Sequence, residues 1–246
     1  MAKRKKLRKN RVLFVIIVFI LLISLIGFGA YFIYHKIKGN TNTPQANATP
    51  HVATVVLDPG HGGKDGGTTN GSLYEKDIVL KVSQYMSEEL KKHNVKVIQT
   101  RTTDAHLDDQ KIADLDKRIG LIDQHQAQYF ISLHVNDYEG PDRNQVNGFE
   151  IYIMNEMSRP LADHMLTSFN ELNLTRNRGV NDKANYHVLR YNKIPSVLVE
   201  LGYIHSKDHA YLSNDDKLKT VANSLAKGIL NTINEGKEDL NNEKNT

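Results

Sequence analysis

The sequence predicts a single α/β domain, built on a mostly parallel or mixed sheet flanked by helices and preceded by one N-terminal transmembrane helix. Three observations carry this reading. Short β-rich runs alternate with helically spaced stretches of 15 or so residues, the pattern of crossover units whose sheet is covered on both faces. Hydrophobic residues make up 39% of the 246-residue chain, enough to build a core. An uncharged apolar run, residues 12–34, stands apart near the N-terminus.

Residues 1–11 carry Lys3, Arg4, Lys5, Lys6, Arg8, Lys9 and Arg11 and no acid, and read as a basic cytoplasmic tail. The run 12–34 that follows gives roughly 34 Å of helix at 1.5 Å per residue, against a hydrocarbon core of about 30 Å. A cleaved signal peptide has a shorter apolar region and a small-x-small cleavage site. This run ends in bulky Tyr31, Phe32, Ile33 and Tyr34, so it reads as an uncleaved signal anchor, with cleavage after Ala30 as the alternative. The positive residues ahead of the span outnumber Lys36 and Lys38 behind it, which puts the N-terminus in the cytoplasm and residues 35–246 outside. Residues 35–51 form a linker, polar and Pro-containing from Gly39 onward.

The globular unit is expected over 52–236. Residues 52–57 (VATVVL) make a first strand ending in the breaker DPGHGG, and 76–92 a helix with Ile78, Val82 and Leu90 on one face. A second strand, 95–99, precedes a helix at 108–124 carrying Ile112, Leu115, Ile119 and Ile122. Strands at 129–133 and 148–154, a helix at 158–172, a strand at 197–201 and an amphipathic helix at 215–233 complete the unit. Residues 237–246 read as a flexible tail.

Composition removes several function classes. The chain has 32 Lys+Arg against 28 Asp+Glu, but seven of the basic residues lie in the first 11 positions. The positive excess belongs to the tail, so no basic face for nucleic acid is expected. The absence of cysteine excludes a disulfide scaffold, an iron–sulfur protein and Cys-ligated zinc. DPGHGGKDGG is glycine-rich, but neither G-x-x-x-x-G-K-[ST] nor G-x-G-x-x-G occurs, so no nucleotide is expected. Ser132 does not sit in G-x-S-x-G, which leaves a serine hydrolase without support.

In open α/β sheets the chemistry collects where loops leave the carboxyl ends of strands. Of eleven histidines, His61 and His134 directly follow hydrophobic strands, and Glu75 opens the first helix. Two imidazoles and one carboxylate make the donor set of a catalytic zinc site, which keeps one position for water. The gaps of 14 and 59 residues between them fit no compact motif, so spacing alone does not separate ligands from structural histidines. His35, His51, His93, His106, His125, His164 and His209 read as surface residues. His187 and His205 flank the last strand and read likewise, with a substrate contact or extra ligand as the alternative. Glu200 follows the apolar Ser196-Val-Leu-Val, where a carboxylate is costly unless paired or near a metal. It is either a general base, a ligand, or a solvent-facing residue just past the strand.

Taken in order, VVLDPGHGGKDGG, Leu73-Tyr-Glu75-Lys-Asp, Thr100-Arg-Thr, FISLHVN and PSVLVELGY resemble the zinc-dependent N-acetylmuramoyl-L-alanine amidases, the amidase-3 family of peptidoglycan hydrolases. The resemblance runs from about Thr54 to Leu230. It implies a six-stranded mixed sheet and one zinc ion held by His61, Glu75 and His134, with Glu200 as the catalytic carboxylate. It further implies cleavage of the amide between the lactyl group of N-acetylmuramic acid and L-alanine by a zinc-activated water. Asn136, two residues past a ligand, becomes a substrate or supporting contact. Arg118 is a weaker candidate, equally explained by a surface salt bridge. The stretch from Asn136 to Gly148 is a short polar loop where some relatives carry a long occluding helix. Peptidoglycan as substrate suits a domain held outside the membrane by its anchor in the bilayer. With no wall-binding module visible, a membrane activator protein is a further expected partner. Two rivals stand beside this: a catalytically silent muropeptide-binding regulator, and a zinc hydrolase cutting another cell-wall bond.

Overall fold

The computed structural model describes residues 24, 27, 28, 31, 51–182 and 185–243. The expected basic tail, most of the span 12–34 and all of the linker before His51 lie outside the described residues. Ser24, Gly27, Phe28 and Tyr31 are helical. Among the described residues no helix is long and apolar enough to cross a membrane. The chain divides after Pro50, and every element below belongs to the unit His51–Thr246.

Six strands form one sheet: β1 (Thr54–Pro59), β4 (Lys96–Gln99), β5 (Tyr129–Asn136), β6 (Phe149–Tyr152), β7 (Asn177–Asn181) and β8 (Ser196–Tyr203). Their order is β4-β1-β5-β8-β6-β7. All neighbours are parallel except β6 and β8. The sheet is therefore mixed, as the sequence predicts. A small hairpin, β2 (Thr69–Asn70) and β3 (Leu73–Tyr74), leads into helix α1 (Glu75–Lys92). The other helices are α2 (Lys111–His125), α3 (Arg159–Asn170), α4 (His187–Arg190), α5 (His209–Leu212) and α6 (Asp215–Glu243).

Strand alternation sorts the side chains between two unequal faces. Val55, Leu57, Ile131, Leu133, Val197, Val199 and Ile151 point to one face and pack against the apolar sides of α1, α3 and α6. Val56, Phe130 and Leu198 point to the other, against Ile122 of α2 and Val188 and Leu189 of α4. That second face is covered only over the first halves of its strands. Further along, the same parity brings up Asp58, Ser132, His134, Asn136, Glu200 and Glu150, which are polar. The expected cover on both faces thus holds fully on one face and in part on the other, and the gap is where the polar residues gather.

The structure moves several boundaries. Helix α2 begins at Lys111 rather than 108, because Asp108 and Asp114 cap the turn before it: the Gln110 amide donates to Asp108, and the Leu107 amide to Asp114. Strands β5 and β8 run on to Asn136 and Tyr203, so His134 and Glu200 stand within strands and not past their ends. Helix α6 extends to Glu243, so residues 237–243, expected as flexible tail, are helical. No proline or glycine interrupts them after Gly236, and Lys, Glu and Leu are strong helix formers. Strand β7 is absent from the sequence reading because NRGVN shows no apolar alternation.

One buried ion pair ties the strand ends together. Asp58, at the end of β1, accepts from Arg118 Nη1 of α2 at 2.9 Å, from Thr100 after β4 at 2.7 Å and from Ser132 of β5 at 2.8 Å. Arg118 Nε also donates to Asp114 at 2.6 Å. Arg118 is 2% exposed, so the alternative of a surface salt bridge is overturned. Burial works against the charge on Asp58, yet Arg118 and the two hydroxyls hold its carboxyl below the ordinary range. Arg118→Met strands that charge and should lower the unfolding free energy by about 3–5 kcal/mol in a urea titration near neutral pH. Adding Asp58→Asn should recover part of the loss. Because the folded-state pKa lies below the unfolded value of about 3.9, the stabilisation is complete above that pH and fades as acid carries the pH through the folded value. Between about pH 5 and about pH 3 the wild-type urea midpoint should fall further than that of the double variant.

Candidate metal centre and active site

Three side chains from three elements converge at the open end of the sheet. His61 lies on the loop after β1, Glu75 is the first residue of α1, and His134 is on β5. Glu75 Oε1 lies 3.2 Å from His61 Nε2 and 3.0 Å from His134 Nδ1. The two imidazoles meet edge to face, centroids 5.1 Å apart. One donor atom from each of the three residues falls within 4.8 Å of the others. Glu75 is buried and its carboxylate also accepts the Val135 and Thr68 amides, at 2.9 and 2.8 Å. Burial opposes its charge, but the two histidines hold the carboxyl well below the usual range.

The His61 loop is clamped from beneath by two arginines. Arg101 donates to the carbonyls of Pro59 and Gly60 at 2.9 and 2.8 Å, and Arg118 to those of Pro59 and His61 at 3.0 and 2.7 Å. The clamp holds His61 at φ 60°, a left-handed conformation that a non-glycine residue keeps only when its surroundings over-determine it. Two glycines are sterically required. A Cβ on Gly60 would lie 2.4 Å from the His134 ring, and one on Gly67 would lie 2.4 Å from the Glu75 carboxylate. Asp65 Oδ1 stands 2.9 Å from His61 Nδ1, but off the line of an N–H donor, so that buried nitrogen lacks an aligned hydrogen bond.

Glu200 and Glu150 lie on the same face of the sheet as His134. In the sheet Glu200 of β8 is the register partner of His134 on one side and of Glu150 of β6 on the other. Burial pushes the Glu200 carboxyl well above the usual range, and the charges of Glu75 and Glu150 push it further. Its Oε2 has no hydrogen-bond partner. Glu150 is buried and paired instead: Oε1 accepts from Asn136 Nδ2 at 3.0 Å and from the Tyr203 hydroxyl at 2.9 Å. Asn136 Oδ1 in turn accepts the Asp137 amide at 2.8 Å, so both ends of its amide are engaged within the protein. Tyr203 reaches this side through a bulge. His134 pairs with Glu200 but Asn136 pairs with Tyr203, one residue out of step, which turns Tyr203 back to the Glu200 side.

The donors fit a divalent cation. Two imidazoles and a buried carboxylate offer nitrogen and oxygen at one point, and His61 Nδ1 has a carboxylate behind it. A cleft of about 430 Å³ opens onto His61 and His134, lined also by Asp65, His106, Asp109 and Tyr186. His187 lines the same cleft and pairs with Asp116 at 2.7 Å, and His205 pairs with Asp137 at 3.2 Å. Arg101 and Glu150 escape a reading of the sequence as functional residues. Thr100-Arg-Thr marks a strand exit, and Glu150 follows the pattern of an ordinary outward-facing strand residue until the antiparallel pairing with β8 is known.

The family model for N-acetylmuramoyl-L-alanine amidase matches residues 55–231. An uncharacterised protein of Bacillus subtilis (strain 168), YqiI, is 33% identical over 192 residues, which cover 77% of this chain and 90% of that protein. The probable cell wall amidase LytH of Staphylococcus aureus is 35% identical over 154 residues, 61% of this chain and 48% of LytH, so the chain spans about half the length of that relative. Among solved structures, the N-acetylmuramoyl-L-alanine amidase AmiC2 of Nostoc punctiforme matches with a TM-score of 0.67 at 33% identity, covering 73% of this chain and 96% of that one. The CwlD amidase of Clostridioides difficile, solved in complex with the GerS lipoprotein, matches with a TM-score of 0.68 at 27% identity, over 74% of this chain and 98% of that one. With the same mixed six-stranded α/β sheet and the motif residues gathered at its open end, the chain belongs to the N-acetylmuramoyl-L-alanine amidase family of peptidoglycan hydrolases.

Proposed function

We propose that the protein is a zinc-dependent amidase that cleaves the bond between the lactyl group of N-acetylmuramic acid and the L-alanine of the stem peptide. The observation that carries this is the juxtaposition of His61, Glu75 and His134 with an unpartnered, buried Glu200 one strand away. His61, Glu75 and His134 would hold the ion, which supplies Lewis acidity and makes hydroxide available near neutral pH. Glu200 takes the proton of the attacking water at its free oxygen and delivers it to the departing L-alanine amine. Asp65 orients the His61 ring from behind. Asn136 donates to Glu150 and accepts the Asp137 amide, which favours the supporting contact of the two roles open to it.

The same reading places the domain on the outer side of a membrane. Its support is the uncharged run 12–34, the basic residues ahead of it and a wall substrate that lies outside the bilayer. A membrane-associated partner is in keeping with the lipoprotein bound to the CwlD amidase. Protease added to intact cells should remove residues 52–236 and spare an epitope on residues 1–11.

Mass spectrometry of the products formed by the full chain with zinc on purified peptidoglycan tests the chemistry. Free stem peptides beginning with L-alanine, abolished by a chelator, are expected. Fragments cut at another bond would replace the substrate assignment, and zinc binding without products would favour the muropeptide-binding regulator. Glu200→Gln should lower turnover by roughly 10²–10⁴-fold while zinc content, measured on the same sample, is kept. Asp65→Asn should weaken zinc roughly 10–100-fold in competition with a chromophoric chelator.

A further inference from the structure

Arg178 occupies a place made for it. Strand β7 pairs with β6 through Phe149 with Asn177 and Glu150 with Gly179, so Arg178 is the extra residue of a bulge. Bulges re-aim side chains, and this one brings Arg178 to the Glu150 side of the sheet. A Cβ on Gly148 would lie 2.5 Å from Arg178 Cγ and 2.6 Å from Cδ, so glycine there leaves the path for the arginine stem. The guanidinium rests over the Tyr203 ring, 5.3 Å from its centroid. Nε lies 3.4 Å from Glu150 Oε1, and Nη1 donates to the Asn147 carbonyl at 3.4 Å. These contacts are long, and the side chain keeps 30% of its surface exposed, against 9% for that of Glu150. The cation is thus fixed in position by β6 and β8 while its charge is only partly offset.

Its distance from the reaction centre is informative. Glu150 stands opposite Glu200, and Arg178 lies one strand beyond Glu150. Two strand spacings, about 10 Å, separate the backbones of Arg178 and Glu200, and the guanidinium turns back over Tyr203 to within 3.4 Å of Glu150. An extended peptide advances roughly 3.3–3.6 Å per residue. A peptide with its first amine at Glu200 would bring its second residue to the guanidinium. Glu150 is the carboxylate that stands on that path, so an acidic peptide needs a cation there. A planar guanidinium takes a carboxylate through two parallel N–H donors.

The geometry points to Arg178 as a specificity residue beside the reaction centre, receiving a carboxylate that the stem peptide carries just beyond L-alanine, with Glu150 and Tyr203 as the residues that position it. This rests on the amidase reading above. The test uses two N-acetylmuramoyl dipeptides whose second residue is glutamate, one with a free α-carboxylate and one with that group amidated. With the full chain and zinc, kcat/KM should favour the free acid by roughly tenfold or more, carried by KM. Arg178→Met should bring the ratio close to one, and Arg178→Lys, which keeps the charge without the fork, should retain part of it. Calorimetry on the Glu200→Gln protein should show the same preference in binding, and its loss when Arg178→Met is added. Equal use of both substrates by the wild type, or a ratio that survives Arg178→Met, overturns the assignment. If neither substrate is hydrolysed and neither binds, the amidase reading itself falls, a result distinct from hydrolysis without discrimination.

Discussion

The site depends on one carboxylate that takes no part in the chemistry. Asp58 sits where β1 ends, out of reach of water, and draws Arg118, Thr100 and Ser132 to itself from three other elements. An unpaired charge at that depth would be prohibitive, so the partners must arrive together. Once Arg118 is there, it also grips the carbonyls of Pro59 and His61, and Arg101 grips those of Pro59 and Gly60. The left-handed His61 is a product of this arrangement. Strain at the His61 loop is carried by a structural ion pair a few residues upstream.

Strand parity does the rest of the positioning. On β5 and β8 the odd-numbered residues enter the apolar layer under α1, α3 and α6, while the even-numbered ones line the other face. Short cover by α2 and α4 leaves the far half of that face open. Glu200 and Glu150 therefore stand on the part of the sheet that the helices do not reach, beside the cleft that α2 and α4 help to line. Two bulges then adjust that part locally, returning Tyr203 to the Glu200 side and presenting Arg178. Asn136, Tyr203 and Arg178 all converge on one oxygen of Glu150.

Much of this was legible in the sequence, and the part that was not has a common cause. His61, Glu75, His134 and Glu200 announce themselves because each breaks an apolar run or opens a helix, and the α/β alternation follows from periodicity. Residues whose role depends on which strand lies next to which carry no such mark. Arg118 has the spacing of a surface residue on an amphipathic helix, and only the packing of α2 over Asp58 buries it. Glu150 becomes a neighbour of Glu200 through the single antiparallel pairing in the sheet. Arg178 belongs to a strand whose sequence lacks alternation, and a bulge sets its direction. The end of α6 was missed for a different reason: polar helix formers continue a helix without leaving an apolar stripe to read.

The parity of β8 has a consequence for how errors in this protein reveal themselves. The strand lies between β5 and β6, apolar on one side and charged on the other. A slip of a single residue would drive Glu200 into the layer beneath α6 and lift Val199 or Leu201 into the cleft. Such a chain would not persist as a well-folded but inert protein, because the misplaced charge would cost it the core. The placement of Glu200 and foldability are checked by the same pairing. A cell that removes unstable proteins therefore also removes those in which Glu200 is out of place.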